Sequence, residues 1–301
     1  MNTLRRSLYA VVALLGAAAC GGSDTGKVTV RLTDAPGDFK AAVVTITEVD
    51  LVGSGGTFHM ISNKEITTDL LTLSNQTAEI VKDVEVPAGT YGQLRFVITG
   101  GYVQVEQADG SVKTFASSPD YAGLPAGTAV DGVLRMPSFA QSGLKVNLPG
   151  GSVTVGGGTT VVLVDFDVSQ SFGHEAGNSG AWVMHPVCKA ERFELSGTVN
   201  VTAALAAGAA LPGGATLGEM AAVLTNDAGS AKRIPLALDA ATNTWGVSFK
   251  YLIPGVYTLS LEAPWAFTSD PTIPQTLTVA SGQSVSRAFA ITPGGTQPNP
   301  L

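Results

Sequence analysis

The sequence predicts an all-β protein built from two β-sandwich domains behind a cleaved N-terminal export signal. Three observations carry that reading. In Lys27-Val-Thr-Val-Arg-Leu-Thr33 the apolar Val28, Val30 and Leu32 alternate with polar neighbours, the period of a half-buried strand, and Asp34-Ala-Pro-Gly37 then breaks the pattern as a turn. The same strand-and-turn grammar recurs along a chain of 301 residues that holds 36 Gly and 16 Pro. After residue 26 no stretch sustains a 3.6-residue apolar period, so helices are expected to be few. The length suits about two domains.

Residues 1–19 have the parts of an export signal: Arg5-Arg6, an apolar run from Leu8 to Leu15, and small residues up to Cys20. The apolar run is too short for a bilayer, which needs roughly 20 residues. Leu15-Gly-Ala-Ala-Ala-Cys20-Gly-Gly-Ser resembles the lipobox of bacterial lipoproteins, although Ala17 stands where Leu is commonest. The resemblance implies a lipid on Cys20, a flexible tether over residues 20–26 and a membrane partner reached through the anchor. Gly21, with no Asp in that place, is compatible with sorting to an outer membrane. Cys188 then has no partner in the chain, so no disulfide framework is expected and it reads as a small buried hydrophobe.

The first domain is expected over residues 27–193. In its second strand Val44 and Ile46 share one face while Val49 and Leu51 share the other, so a β-bulge near Thr47-Glu48 is needed to point all four inward. His59 alternates with Phe58 and Met60 and is expected to be an ordinary exposed strand histidine. A short helical turn fits within residues 67–82, and Val86-Pro-Ala-Gly-Thr-Tyr91 is a turn feeding the strand Gln93 to Ile98. Asp109-Gly110, between Tyr102-Val-Gln-Val and Val112-Lys-Thr-Phe115, predicts a two-residue type I′ hairpin. Residues 116–129 form a Pro/Gly loop. Within 159–168, Val162, Val164, Phe166 and Val168 make one apolar face, and the other runs from Val161 and Leu163 to Asp165 and Asp167. A polar loop from Ser169 to Gly180 then precedes a closing strand over 181–193.

Leu32-Thr-Asp-Ala-Pro-Gly-Asp38, Asp69-Leu-Leu, Pro87-Ala-Gly-Thr-Tyr91 with Arg95, Gln141-Ser-Gly-Leu-Lys145 and Leu163-Val-Asp-Phe-Asp167 follow one another in order. Together they resemble the domain of unknown function 4382, found in bacterial lipoproteins, over residues 27–193. The resemblance implies a β protein of the cell envelope and brings no established activity.

The second domain is expected over residues 194–293, as seven short strands beginning at Ser196-Gly-Thr-Val199, with an Ala/Gly/Pro-rich loop from Ala203 to Ala215. Leu252-Ile-Pro-Gly-Val-Tyr-Thr-Leu259, with Ser196-Gly-Thr-Val199 before it and Val279-Ala-Ser-Gly-Gln283 after it, is similar to carboxypeptidase regulatory-like domains. These are transthyretin-like sandwiches grouped with starch-binding folds. Gly255-Val-Tyr257 echoes Gly89-Thr-Tyr91, so the two domains are expected to share a design. Residues 294–301 are a Pro/Gly-rich tail with the composition of a disordered segment.

The formal net charge is −7, and loss of residues 1–19 removes Arg5 and Arg6 and no acid. Such a balance opposes nucleic acid and suits cations or neutral ligands. No nucleophile elbow, His-Glu-x-x-His, phosphate-cradling loop or Cys-x-x-Cys occurs, and His59, His174 and His185 are the only imidazoles. The residues that point to chemistry are acids. Asp34 and Asp38 leave one turn, and Asp165 and Asp167 share a strand face. If the two segments meet, a cation is needed to join them, and Ca²⁺ suits hard oxygen ligands. Otherwise Asp34 caps its own turn and Asp165 and Asp167 face solvent. Trp265, in Ala263-Pro-Trp-Ala-Phe-Thr-Ser-Asp270, is the tryptophan most open to stacking on a sugar. The expectation is a lipid-anchored envelope module that binds glycan or another envelope protein, or has a structural role, without cofactor or catalysis. The alternative is a polysaccharide hydrolase whose paired Asp carboxylates lie about 5–9.5 Å apart.

Overall fold

The computed structural model describes residues 25–35, 39–107, 109–172 and 180–294. Cys20, Asp38 and His174 lie outside them. The described chain is nearly all strand, and among the described residues no helix is long and apolar enough to cross a membrane.

The first thirteen strands are β1 (Thr25–Ala35), β2 (Ala41–Gly53), β3 (Phe58–Ser62), β4 (Ile66–Asp69), β5 (Ala78–Pro87), β6 (Gly89–Glu106), β7 (Val112–Ala116), β8 (Gly132–Arg135), β9 (Leu144–Asn147), β10 (Val153–Val155), β11 (Thr159–Asp167), β12 (Ala181–Val183) and β13 (Cys188–Arg192). They form two sheets. One has the order β13-β11-β1-β5, and the other β12-β8-β7-β6-β2-β3, with β9 and β10 added to β6 and β4 added to β2. One apolar core between them runs from Val28 on β1 to Met184.

The bulge expected in β2 is present. Pairing steps from Ile46↔Ile98 to Glu48↔Val97, so Thr47 is left over and Val44, Ile46, Val49 and Leu51 are all buried.

Four local readings of this sandwich differ from the structure. The hairpin at Asp109-Gly110 has a three-residue loop: the Gly110 N–H reaches the Gln107 carbonyl, Gln107 pairs with Ser111, and Gly110 closes the loop at φ 81°. On β3, Phe58 and Met60 are the exposed residues, whereas His59 is half-buried with its ring edge-on to Tyr91 at 5.6 Å. The polar loop begins as a one-turn helix, α1 (Val168–Phe172), that buries Val168, Ser171 and Phe172. The stretch 181–193 is two strands in different sheets, β12 beside β8 and β13 beside β11. Pro186, which has no N–H to give a ladder, separates them.

The remaining strands are β14 (Gly197–Leu205), β15 (Ala221–Asn226), β16 (Ala231–Pro235), β17 (Ala237–Asp239), β18 (Thr244–Leu252), β19 (Gly255–Glu262), β20 (Phe267–Asp270), β21 (Gln275–Val279) and β22 (Ser284–Pro293). Their sheets have the orders β17-β18-β14-β22-β20 and β16-β15-β19-β21. A separate apolar core lies between them, centred on Val199, Phe249, Leu259, Leu261 and Ile291. Residues 232–238 divide between β16 and β17, and part of the expected loop around Trp265 is the edge strand β20 beside β22.

Candidate functional site

β1 and β11 run parallel, with Thr33 opposite Asp165, Asp34 opposite Phe166 and Ala35 opposite Asp167. Parallel pairing brings both C-terminal ends to one place, so three of the four acids singled out in the sequence meet there. Asp34 follows Val28, Val30 and Leu32 on the core face and is 0% exposed; Asp167 is 6% exposed and Asp165 is half-buried. Asp165 and Asp167 are not the solvent-facing acids that strand parity alone suggests, because the second sandwich covers this end of the sheet, and Asp34 bonds the Val168 N–H instead of capping its own turn.

The turn between β15 and β16 makes the cover. Asn226 Oδ1 accepts from the N–H groups of Ala228 and Ser230, which fixes the turn, and the Ser230 hydroxyl donates to Asp167 Oδ2. Asp167 Oδ1 accepts from the Ser169 hydroxyl at 2.8 Å and the Gln170 N–H at 3.1 Å, so the same carboxylate caps α1. Gln170 Nε2 donates to the Ala228 carbonyl at 3.2 Å. Lys232, 7% exposed, sits behind the turn, and an ion pair between Lys189 and Asp227 at 3.2 Å lies at the rim.

Asp34 Oδ1 accepts from the Val168 N–H at 3.2 Å, while Asp34 Oδ2 and Asp165 Oδ1 are buried with no hydrogen-bond partner among the described residues. Burial, reinforced by the neighbouring Asp165 charge, raises the Asp34 pKa well above the carboxylate range. Burial also raises Asp165 to about 6, against the pull of Lys232. Desolvation lowers Lys232 and lifts the Cys188 thiol, which the three acids lift further.

Asp38, the fourth acid of the expected calcium set, lies outside the described residues. Among the described residues no group of three or more His, Cys, Asp or Glu is placed to hold a metal ion. The positive charge buried among the acids is the Lys232 ammonium, a group with no sequence signal, since it lies nearly 200 residues from Asp34.

Two further contacts seat the second sandwich. Asn75, at φ 62°, donates from Nδ2 to the Ser248 carbonyl at 2.7 Å and accepts the Lys250 N–H at Oδ1, pairing its amide with the edge of β18 as a neighbouring strand would. Phe193, in the linker, stacks on Tyr251 at 5.7 Å with the Arg31 guanidinium 4.9 Å from its ring centre.

Most other sequence landmarks of the first sandwich are scaffold. Asp69 Oδ1 accepts from the N–H groups of Ala42 and Leu71. Tyr91 donates its hydroxyl to the Pro87 carbonyl at 2.7 Å. Arg95 pairs with the buried Asp50 at 3.4 Å and lies so close to Gly143 that a Cβ there would meet its side chain at 2.6 Å.

Trp182 is core. Trp265 is half-buried against the second core, edge-on to Phe267 at 5.8 Å, with Nε1 donating to Glu219 at 3.1 Å. A separate open groove of about 500 Å³ lies along β17, β18 and β14, where Asn200, Thr202, Asp239, Thr244 and Ser248 present short polar groups.

The sequence profile of the domain of unknown function DUF4382 matches residues 25–186, more than half of the chain, and the protein belongs to this family. No curated protein matches it. Among solved structures, it is similar to the Bacillus anthracis TIE protein (10% identity, TM-score 0.23, covering 89% of this chain and 34% of that one). It is also similar to a leucine-rich repeat protein from Bacteroides thetaiotaomicron (13%, 0.20, covering 90% and 26%). A third is the C-terminal fragment of the pilus adhesin SpaC from Lactobacillus rhamnosus GG (12%, 0.25, covering 91% and 100%). The chain therefore spans about a third or less of the first two.

Proposed function

We propose that this protein is a lipid-anchored binding or structural module of the bacterial cell envelope, held at the outer membrane through Cys20, with the groove of the second sandwich recognising a neutral glycan. The observation that carries the reading is the use made of the acids. Asp34 and Asp167 are buried; Asp167, engaged by Ser169, Gln170 and Ser230, joins the two sandwiches, and Asp34 holds the Val168 N–H within the first, so neither is open across a cleft. That arrangement disfavours the hydrolase, which needs its acids open to substrate. The groove supports the ligand class, because Asn200, Thr202, Thr244 and Ser248 offer uncharged donors and acceptors suited to sugar hydroxyls.

The anchor is tested with Cys20→Ser, which is expected to release the protein from membranes and abolish lipid labelling, since the acyl chains supply about 0.8 kcal/mol per buried methylene. Wild-type protein wholly in the soluble fraction would refute it. The ligand is tested on a glycan array: binding by wild type that is lost in Thr202→Arg, which fills the groove with a long charged side chain, supports the groove. Capture of an envelope protein with no glycan signal would replace the glycan with a protein partner.

A further inference from the structure

We propose that the first sandwich carries a saccharide site of its own, a pocket of about 500 Å³ between β4 and the loop after β7 that takes a neutral, hydroxyl-rich sugar unit. It shares no residue with the groove of the second sandwich.

The strands and the loop shape this pocket together. β2 turns Val43 and Thr45 away from the main core. The loop after β7 folds over Val43, where Tyr121, Leu124 and Val130 join Ala41, Tyr102 and Ala116 in a small separate core. Its start is pinned to β6: the Ser117 N–H reaches the Gly101 carbonyl at 2.9 Å, and the Ser117 hydroxyl accepts the Gly101 N–H at 3.1 Å. The cover ends at Thr45, and the pocket opens there. Along β6 the pairing steps from Thr45↔Gly100 to Ile46↔Ile98, so Thr99 is left over. That bulge puts Thr99 and Gly100 side by side in the lining, where a regular strand would send them to opposite faces.

The polar groups of the lining are connected. Thr45, 6% exposed, has its hydroxyl 2.7 Å from the Thr67 hydroxyl and 2.5 Å from that of Tyr121. Three hydroxyls joined by two bonds keep one proton to give outward. The direction of the chain decides whether Tyr121 or Thr67 gives it, and the other end then accepts. Such a chain meets a sugar hydroxyl, itself both donor and acceptor, in either sense. The Tyr121 ring is fixed in place: a Cβ on Gly123 would meet it at 2.6 Å, and one on Gly100 would press its opposite edge closer still. Glu65 is the one charged residue of the lining among the described residues. Its carboxylate accepts from hydroxyls and repels anionic ligands, so the pocket favours a neutral sugar.

The full chain on an array of neutral and acidic glycans tests this. Thr202→Arg, which fills the groove, should leave a set of neutral glycans bound. Adding Thr67→Arg, which puts a long charged side chain into the pocket from an exposed position, should remove that set. Calorimetry in the Thr202→Arg background, with a glycan of that set, reads the single groups. Tyr121→Phe, which deletes one end of the hydroxyl chain, should weaken binding about fivefold, and Glu65→Gln, at an exposed position, about tenfold. Loss of every glycan signal in Thr202→Arg would overturn the pocket and leave the groove standing. Signals untouched by Thr202→Arg and abolished by Thr67→Arg would support the pocket and remove the groove. A retained set made of acidic glycans, or one bound equally well after Tyr121→Phe and Glu65→Gln, would overturn the pocket. No glycan bound by the wild type would overturn both sites.

Discussion

In the first sandwich the opening strand, β1, lies in parallel beside the late strand β11; in the second, β14 lies in parallel beside β22. Each also has a tyrosine two residues after a glycine whose hydroxyl reaches the carbonyl four residues back, Tyr91 to Pro87 at 2.7 Å and Tyr257 to Ile253 at 2.6 Å. The corner holds the chain as it enters a central strand. The interiors differ. The first sandwich buries Asp34, Asp50 and Asp167 together with several threonines, whereas the second buries Ser230, Lys232 and Ser269, two of which face the first. Shared strand pairing and a shared corner thus leave the placing of charge free to vary, and charge has collected where the two units meet.

The largest expected effects test whether the cores are separate. Phe115→Ala and Phe249→Ala, each removing a fully buried ring, should each cost about 3–5 kcal/mol. Calorimetry of the full chain should show each variant lowering its own transition; one transition lowered alike by both would mean a single cooperative core.

Next is the charge inside the first sandwich alone. Arg95→Met leaves Asp50 buried without its partner and should cost on the order of 3 kcal/mol in urea unfolding, a loss that Asp50→Asn in the same background partly restores. A neutral result would remove the pair from the scaffold.

The tyrosine corners probe what the sandwiches share. Tyr91→Phe and Tyr257→Phe each delete one hydrogen bond and should cost about 1 kcal/mol, equally within error, by denaturant midpoint. A large cost in one and none in the other would break the parallel between them.

The smallest effect expected is from metal. With Lys232 supplying the buried positive charge, melting temperatures in calcium and in chelator should superimpose. A rise in calcium that is lost in Asp167→Ala would restore a cation to the acids.

Local pattern was enough for much of this protein. Alternation of apolar residues predicts an all-β chain, parity within β2 demands the bulge at Thr47, and Gly-x-Tyr marks both corners. These depend on neighbours a few residues apart, where periodicity and turn chemistry act. The three acids were visible as candidates for the same reason, but their meaning was not. Strand parity places Asp165 and Asp167 on the face away from the core, and only the docking of the β15–β16 turn makes that face an interior. Asp34, Ser230 and Lys232 come together through the parallel β1–β11 pair and one interdomain contact, across separations over which a single sequence carries no period. Asn75 is the same case, a loop residue whose amide finds the edge of β18 about 175 residues away. Strands, turns and candidate acids follow from local chemistry. Which acids lose water, and which cation faces them, was decided when the second sandwich closed over the first.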